Sequence, residues 1–97
     1  MNENLTIIAQ TLVKQGKEAE AELAMTNLVQ QTRSEEGCLA YTLHQDIKNP
    51  CFFLIYETWE NRELWQKHMQ SPHLIEYRKI VTSLIEDSKI FEMNRIE

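Results

Sequence analysis

The sequence predicts an α+β fold whose elements run strand, helix, strand, strand, helix, strand. Three observations carry that prediction. Stretches rich in β-branched and aromatic residues stand near both ends and in the middle of the chain. Segments with apolar residues at helical period lie between them, and glycines or an Asn-Pro pair mark the joins. With 97 residues there is room for one hydrophobic core, so residues 1–97 are read as a single domain.

Leu5 to Val13, LTIIAQTLV, is a first strand closed by Gly16. Lys17 opens a helix that runs through Arg33, with Ala21, Ala24, Met25, Leu28 and Val29 spaced to share one face. Glu18, Glu20 and Glu22 lie in its early turns, where the macrodipole favours negative charge. Ser34-Glu35-Glu36-Gly37 ends it, and Gly37 supplies the left-handed conformation a C-cap or tight turn needs. Cys38 to Asp46 is a second strand, with Leu39, Tyr41 and Leu43 on one face and Ala40, Thr42 and His44 on the other. Asn49-Pro50 turns the chain into Cys51 to Trp59, CFFLIYETW, which is apolar at nearly every position. Asn61 caps a short helix holding Leu64, Trp65, His68 and Met69, and Ser71 caps a second with Pro72 at its first position. The second is read to about Glu86 on the stripe Leu74, Tyr77, Val81, Leu84 and Ile85, leaving Lys89 to Ile96 as the final strand.

This order is the ferredoxin-like βαββαβ plan. A strand as apolar as FFLIYETW needs cover on both faces, and the helices of so small a domain can cover one. A second copy of the chain is the expected cover for the other, so a homodimer is predicted.

A formal net charge of −5, with lysines and arginines scattered, argues against general binding to nucleic acid or anionic lipid. Met1 to Asn4 carries no basic stretch before an apolar leader core, and no apolar run nears the roughly 18 residues of a membrane span. A cytoplasmic location without membrane contact is therefore expected. Cys38 and Cys51 are too few for a disulfide scaffold and fit neither a CxxC pair nor a zinc knuckle, so both are expected to be buried thiols. GxSxG, P-loop and GxGxxG motifs do not occur, which sets aside the hydrolase and dehydrogenase classes they mark.

Chemistry is left to the residues that follow the central strand. Glu57 and Trp59 are two apart on one strand, hence on one face. A carboxylate on a covered face is desolvated, and its pKa rises toward a range where it can exchange protons. His68 lies one turn from Trp65 and Leu64, at the edge of an apolar helix face, where an imidazole could take a phenolic proton. His73 follows Pro72 at a helix start, where the dipole disfavours protonation. The His68–His73 spacing lacks the i, i+4 pattern of a helical metal site, so no metal is expected. Trp59, Trp65, Phe53, Tyr56, Tyr41 and Tyr77 supply aromatic surface to line a pocket for a flat ring, with His44 and His73 as further wall residues. Ordinary packing would use the same aromatic and histidine residues.

Three segments then speak together: Glu35-Glu36-Gly37-Cys38 with Tyr41, Glu57-Thr58-Trp59-Glu60, and His68-Met69-Gln70-Ser71-Pro72-His73-Leu74 with Tyr77. In this order and spacing they resemble the antibiotic biosynthesis monooxygenase family, and most closely its quinol monooxygenase branch. The resemblance spans Leu5 to about Ile96 and implies a dimeric α+β barrel with a pocket between sheet and helices in each subunit. It implies oxygenation of a small aromatic quinol or phenol by dioxygen, with no flavin, haem or metal cofactor. Carried over, His68 accepts or orients a proton, Glu57 holds the polar network, and Trp59, Trp65 and Tyr77 line the ring pocket. Haem-degrading relatives place a histidine about where Arg78 stands, so haem chemistry is not expected. The scaffold also hosts isomerases of quorum-signal sugars and could serve as a non-catalytic ligand-binding dimer; both stay as alternatives.

Overall fold

β1 (Leu5–Val13) bonds a neighbour along each of its edges, so the first strand of the chain becomes an inner strand of the sheet. The computed structural model describes residues 4–97, and most of the Met1–Asn4 stretch weighed above as a leader lies outside them. On one edge β1 meets β3 (Phe52–Trp59) antiparallel, in register from Leu5↔Trp59 to Leu12↔Phe52. On the other it meets β4 (Ile85–Met93), also antiparallel. β2 (Cys38–Gln45) pairs with the free edge of β3, giving the order β2-β3-β1-β4. Helices α1 (Glu18–Thr32), α2 (Arg62–His68) and α3 (Pro72–Val81) complete a ferredoxin-like α+β fold, as expected. No helix among the described residues is long and apolar enough to cross a membrane.

Period-two alternation sorts β3 into two faces. Phe53, Ile55, Glu57 and Trp59 are buried, with Trp59 at 0% exposure, while Phe52, Leu54, Tyr56 and Thr58 point the other way and keep contact with solvent. The buried apolar residues of this set pack with Met25, Leu28 and Val29 of α1 and Leu74 of α3. One sheet face and one stripe of each helix thus make the core, worth about 1.5–3 kcal/mol for each large apolar side chain removed from water.

The caps read from the sequence are present. Asn61 Oδ1 accepts from the Leu64 amide at 2.9 Å and Ser71 Oγ from the Leu74 amide at 3.3 Å, each satisfying a first-turn N–H. Gly37 has φ +85°, the left-handed region only glycine enters without strain.

Three local expectations are corrected. α3 stops at Val81, not near Glu86, because Leu84 turns back to Val81 and gives its carbonyl to Lys14, so Ile85 starts pairing with β1. A hydrogen-bonded ladder along β1 outweighs little more than one further helical turn, and the last strand is Ile85–Met93 in place of Lys89–Ile96. Leu39 is 52% exposed and does not share a face with Tyr41 and Leu43, because the register of β2 shifts between Cys38 and Ala40. Cys38 and Cys51 are free but half-buried, not fully buried.

Gly37 also sits against α2: an added Cβ would overlap Leu64 Cδ1 and stand 2.8 Å from Leu64 Cβ. Strained φ and steric overlap add, so Gly37→Ala is expected to lose about 2–4 kcal/mol in urea unfolding. Gly16→Ala shares only the positive φ, with nothing within 4 Å of its added Cβ, and is expected to lose about 1 kcal/mol.

Candidate active site

His68 is the last residue of α2 and is 1% exposed. The chain turns directly after it, with the Ser71 amide donating to the His68 carbonyl at 3.0 Å, and α3 starts at Pro72. That bend sets His73 beside His68, ring centroids 6.1 Å apart. Glu35 reaches between them from the turn after α1. Its Oε2 lies 2.6 Å from His68 Nδ1 and 2.6 Å from His73 Nε2. The turn carrying Glu35 is held by Glu35 N–H to the Thr32 carbonyl and by Glu60 N–H to the Gly37 carbonyl, each at 2.9 Å.

The far side of His68 faces rings. Trp59 lies 4.8 Å away by centroid, tilted 31°, and Tyr41 meets His68 edge-on at 5.5 Å. Trp59 Nε1 donates to Glu57 Oε1 at 2.9 Å, two residues back on the same face of β3. Glu35, half-buried, and the buried His68, Trp59 and Glu57 thus form one continuous line of side chains.

A cavity of about 420 Å³ opens between α3 and the sheet beside that line. Tyr41, Glu57, His68 and Tyr77 stand on its wall, with Leu28, Ile55 and Leu74 supplying apolar surface. Of the residues singled out from the sequence, these four come together at one space. Trp59 is the layer behind it, packed and bonded to Glu57. Trp65 is buried in the core outside the wall. His73 stands behind Glu35, one residue removed from the cavity. His44 is on the opposite face of the sheet, near Thr42, Leu54 and Tyr56, because residue 44 alternates away from Tyr41 and Leu43; it is not part of this wall.

Two residues were not singled out as site residues. Glu35 is separated from His68 by 33 positions and from His73 by 38, and only its place in the Glu35-Glu36-Gly37-Cys38 segment could have flagged it. Arg78 lines the cavity mouth and donates to the Met69 carbonyl at 3.2 Å. The spacing argument against a metal considered one helix. Across the bend, Glu35 Oε2, His68 Nδ1 and His73 Nε2 come within 4.8 Å of one another, a donor set that suits a transition-metal ion. Here the carboxylate oxygen itself fills the space between the imidazoles and bonds both.

Burial sets the protonation of this wall. It pushes Glu57 up to about 7, against the Trp59 hydrogen bond that pulls it down, with the nearby Glu35 charge adding to the rise. His68 is lowered below the ordinary imidazole range, again mainly by burial, with Glu35 opposing. Tyr77 is pushed up to about 12 and Tyr41 is also raised, both chiefly by burial, so both phenols keep their protons near neutrality. Cys38 is pushed up to about 11 by burial, which keeps it a thiol. Glu57 and His68 are therefore the groups able to exchange protons on this wall.

The family model for antibiotic biosynthesis monooxygenases matches residues 4–80. The chain belongs to this family. Its fold superposes on the crystal structure of PA3566 from Pseudomonas aeruginosa with a TM-score of 0.94 and 29% identity, covering 100% of this chain and 98% of that one. It also matches the crystal structure of an antibiotic biosynthesis monooxygenase with a TM-score of 0.91 and 28% identity, over 96% of this chain and 99% of that one. An uncharacterised Synechocystis protein, sll1783, is 32% identical over 65 residues, which are 67% of this chain and 44% of that protein. The chain thus spans less than half the length of that curated relative. Monooxygenase-like chemistry is the general character of the family; the match names no substrate.

The Glu57 shift has a signed consequence for stability. A carboxyl whose folded pKa lies above its unfolded value of 4.5 destabilises the fold when it ionises, so the Glu57 contribution is most favourable below pH 4.5 and is lost as pH rises through about 7. Glu57→Gln removes that loss. The difference in unfolding free energy between Glu57→Gln and the parent is expected to grow in the variant's favour by about 3 kcal/mol from pH 4 to pH 8, read from urea curves at both ends.

Proposed function

We propose that this chain is a cofactor-independent monooxygenase that oxidises a small aromatic quinol or phenol with dioxygen. The observation that carries the reading is the pairing, on one apolar cavity, of a buried imidazole lowered in pKa with a buried carboxyl raised to about 7. Membership of a family that is monooxygenase-like in general supports it.

In this reading the ring lies against Tyr41, Tyr77 and Leu74, and His68 accepts the phenolic proton. Glu57, when protonated, donates to the second oxygen of the quinol. The ring anion gives an electron to dioxygen, and the radical pair recombines to a ring hydroperoxide. Breaking the O–O bond leaves a carbonyl on the ring and releases water, so quinol and dioxygen become hydroxyquinone and water. The substrate is the reductant. The protein binds, deprotonates and keeps bulk water from the radical pair.

We propose in addition that the outer sheet face receives a second copy of the chain. Tyr56 at 40%, Phe91 at 39% and Met93 at 45% exposure stand there together with Ile8 and Leu54. So apolar a face on so small a domain favours self-association. The parent should sediment as a dimer and Leu54→Glu as a monomer; a parent that stays monomeric at micromolar concentration removes this part.

Chemically reduced menadiol, added to chelator-treated protein, should raise oxygen uptake above the autoxidation blank. His68→Ala should lower that excess by about 100-fold or more. Uptake equal to the blank would leave a ligand-binding role, and oxygen-independent turnover of a phosphosugar ketone would favour an isomerase.

A further inference from the structure

Glu35 is not on the cavity wall, yet it makes the closest polar contact of the wall's imidazole. An ionised carboxylate only accepts hydrogen bonds, so each ring nitrogen that faces Glu35 Oε2 at 2.6 Å carries the proton of its bond. For His68 this selects a tautomer. Nδ1 holds the hydrogen toward Glu35, which is off the cavity wall, and Nε2 is left with a lone pair on a ring that lines the cavity. His73, bonded to the same oxygen, gives Glu35 a second anchor and holds that oxygen in place.

We propose that Glu35 is the positioning residue of this site: it holds His68 as the Nδ1–H tautomer, presents Nε2 to a phenolic proton, and steadies the imidazolium that forms when His68 takes it. The catalytic half of this statement rests on the oxygenase reading; the tautomer half rests on hydrogen-bond geometry alone. In the step itself the phenolic O–H breaks and an Nε2–H forms. The new positive charge on His68 then faces the negative charge of Glu35 at 2.6 Å, inside a site with little water to screen it. The proton stays on His68 until the dioxygen adduct needs it. The outer oxygen of that adduct leaves as water, with this proton and the ring hydrogen displaced as the carbonyl forms.

Nitrogen NMR of isotope-labelled parent protein near neutral pH reads the tautomer directly, and His68 should carry its proton on Nδ1 with Nε2 bare. Glu35→Gln keeps a carbonyl oxygen for both imidazoles and loses only the charge. It should keep the tautomer and KM for menadiol while kcat falls at least tenfold. Glu35→Ala loses the acceptor as well, so the tautomer should become mixed and kcat should fall further. An Nε2–H tautomer in the parent, or a Glu35→Gln enzyme with unchanged kcat, overturns the proposal. So does a parent whose turnover is abolished by chelator and restored by iron or zinc, because Glu35 would then be a metal ligand. If the parent oxidises no menadiol, the oxygenase reading fails, and the spectrum still decides the tautomer. The parent spectrum also decides it should Glu35→Ala fail to fold.

Discussion

One carboxylate oxygen, Glu35 Oε2, receives an imidazole from the end of α2 and another from the start of α3. Helices share no backbone ladder with one another, so apolar packing and a few directional side-chain bonds fix their relative placement. Packing tolerates small slides; two bonds of 2.6 Å on one atom do not. The same oxygen ties the two sides of the α2–α3 bend together and holds the His68 ring beside Trp59. Glu57 is tied into this line through the Trp59 indole, so four side chains from three distant segments act as a single polar thread in an apolar core.

Burial moves the two proton-exchanging groups in opposite directions on the pKa scale, and in both cases toward the uncharged form. Both shifts lessen the charge these two groups place on the buried part of the cavity wall. Tyr41, Leu28, Ile55 and Leu74 add apolar wall around these two groups, with Arg78 and Lys89 also on the lining. The destabilisation from Glu57 falls on folding, which the surrounding core offsets with Phe53, Ile55 and Trp59 on the same strand. The fold thus tolerates a costly carboxyl on the wall of its cavity.

β3 links this interior to the outside. Its alternate residues are the floor of the cavity, and those between are the apolar skin of the opposite face. A strand that is apolar on both sides belongs between two layers, and a chain of 97 residues builds one of them from its own helices.

Much of this was legible in the sequence because it follows from local covalent geometry. Strand faces repeat every two residues and helix faces every 3.6, so β1, α1 and β3, the Asn61 and Ser71 caps, the turn glycine at Gly37, and the shared face of Glu57 and Trp59 could all be read from spacing. Composition and motif order were enough for the family as well. Wherever the outcome depended on contacts between distant residues, spacing was silent or misleading. α3 ends at Val81 because β1 captures the following residues, and Leu39 leaves its face because β2 shifts register against β3. His44 shares a strand with Tyr41 yet faces away from the cavity, a consequence of which side the helices cover. Glu35 meets His68 and His73 across 33 and 38 residues, a contact that exists only once the α2–α3 bend and the turn after α1 are packed together. Local periodicity decides which way a side chain points; tertiary packing alone decides what it meets.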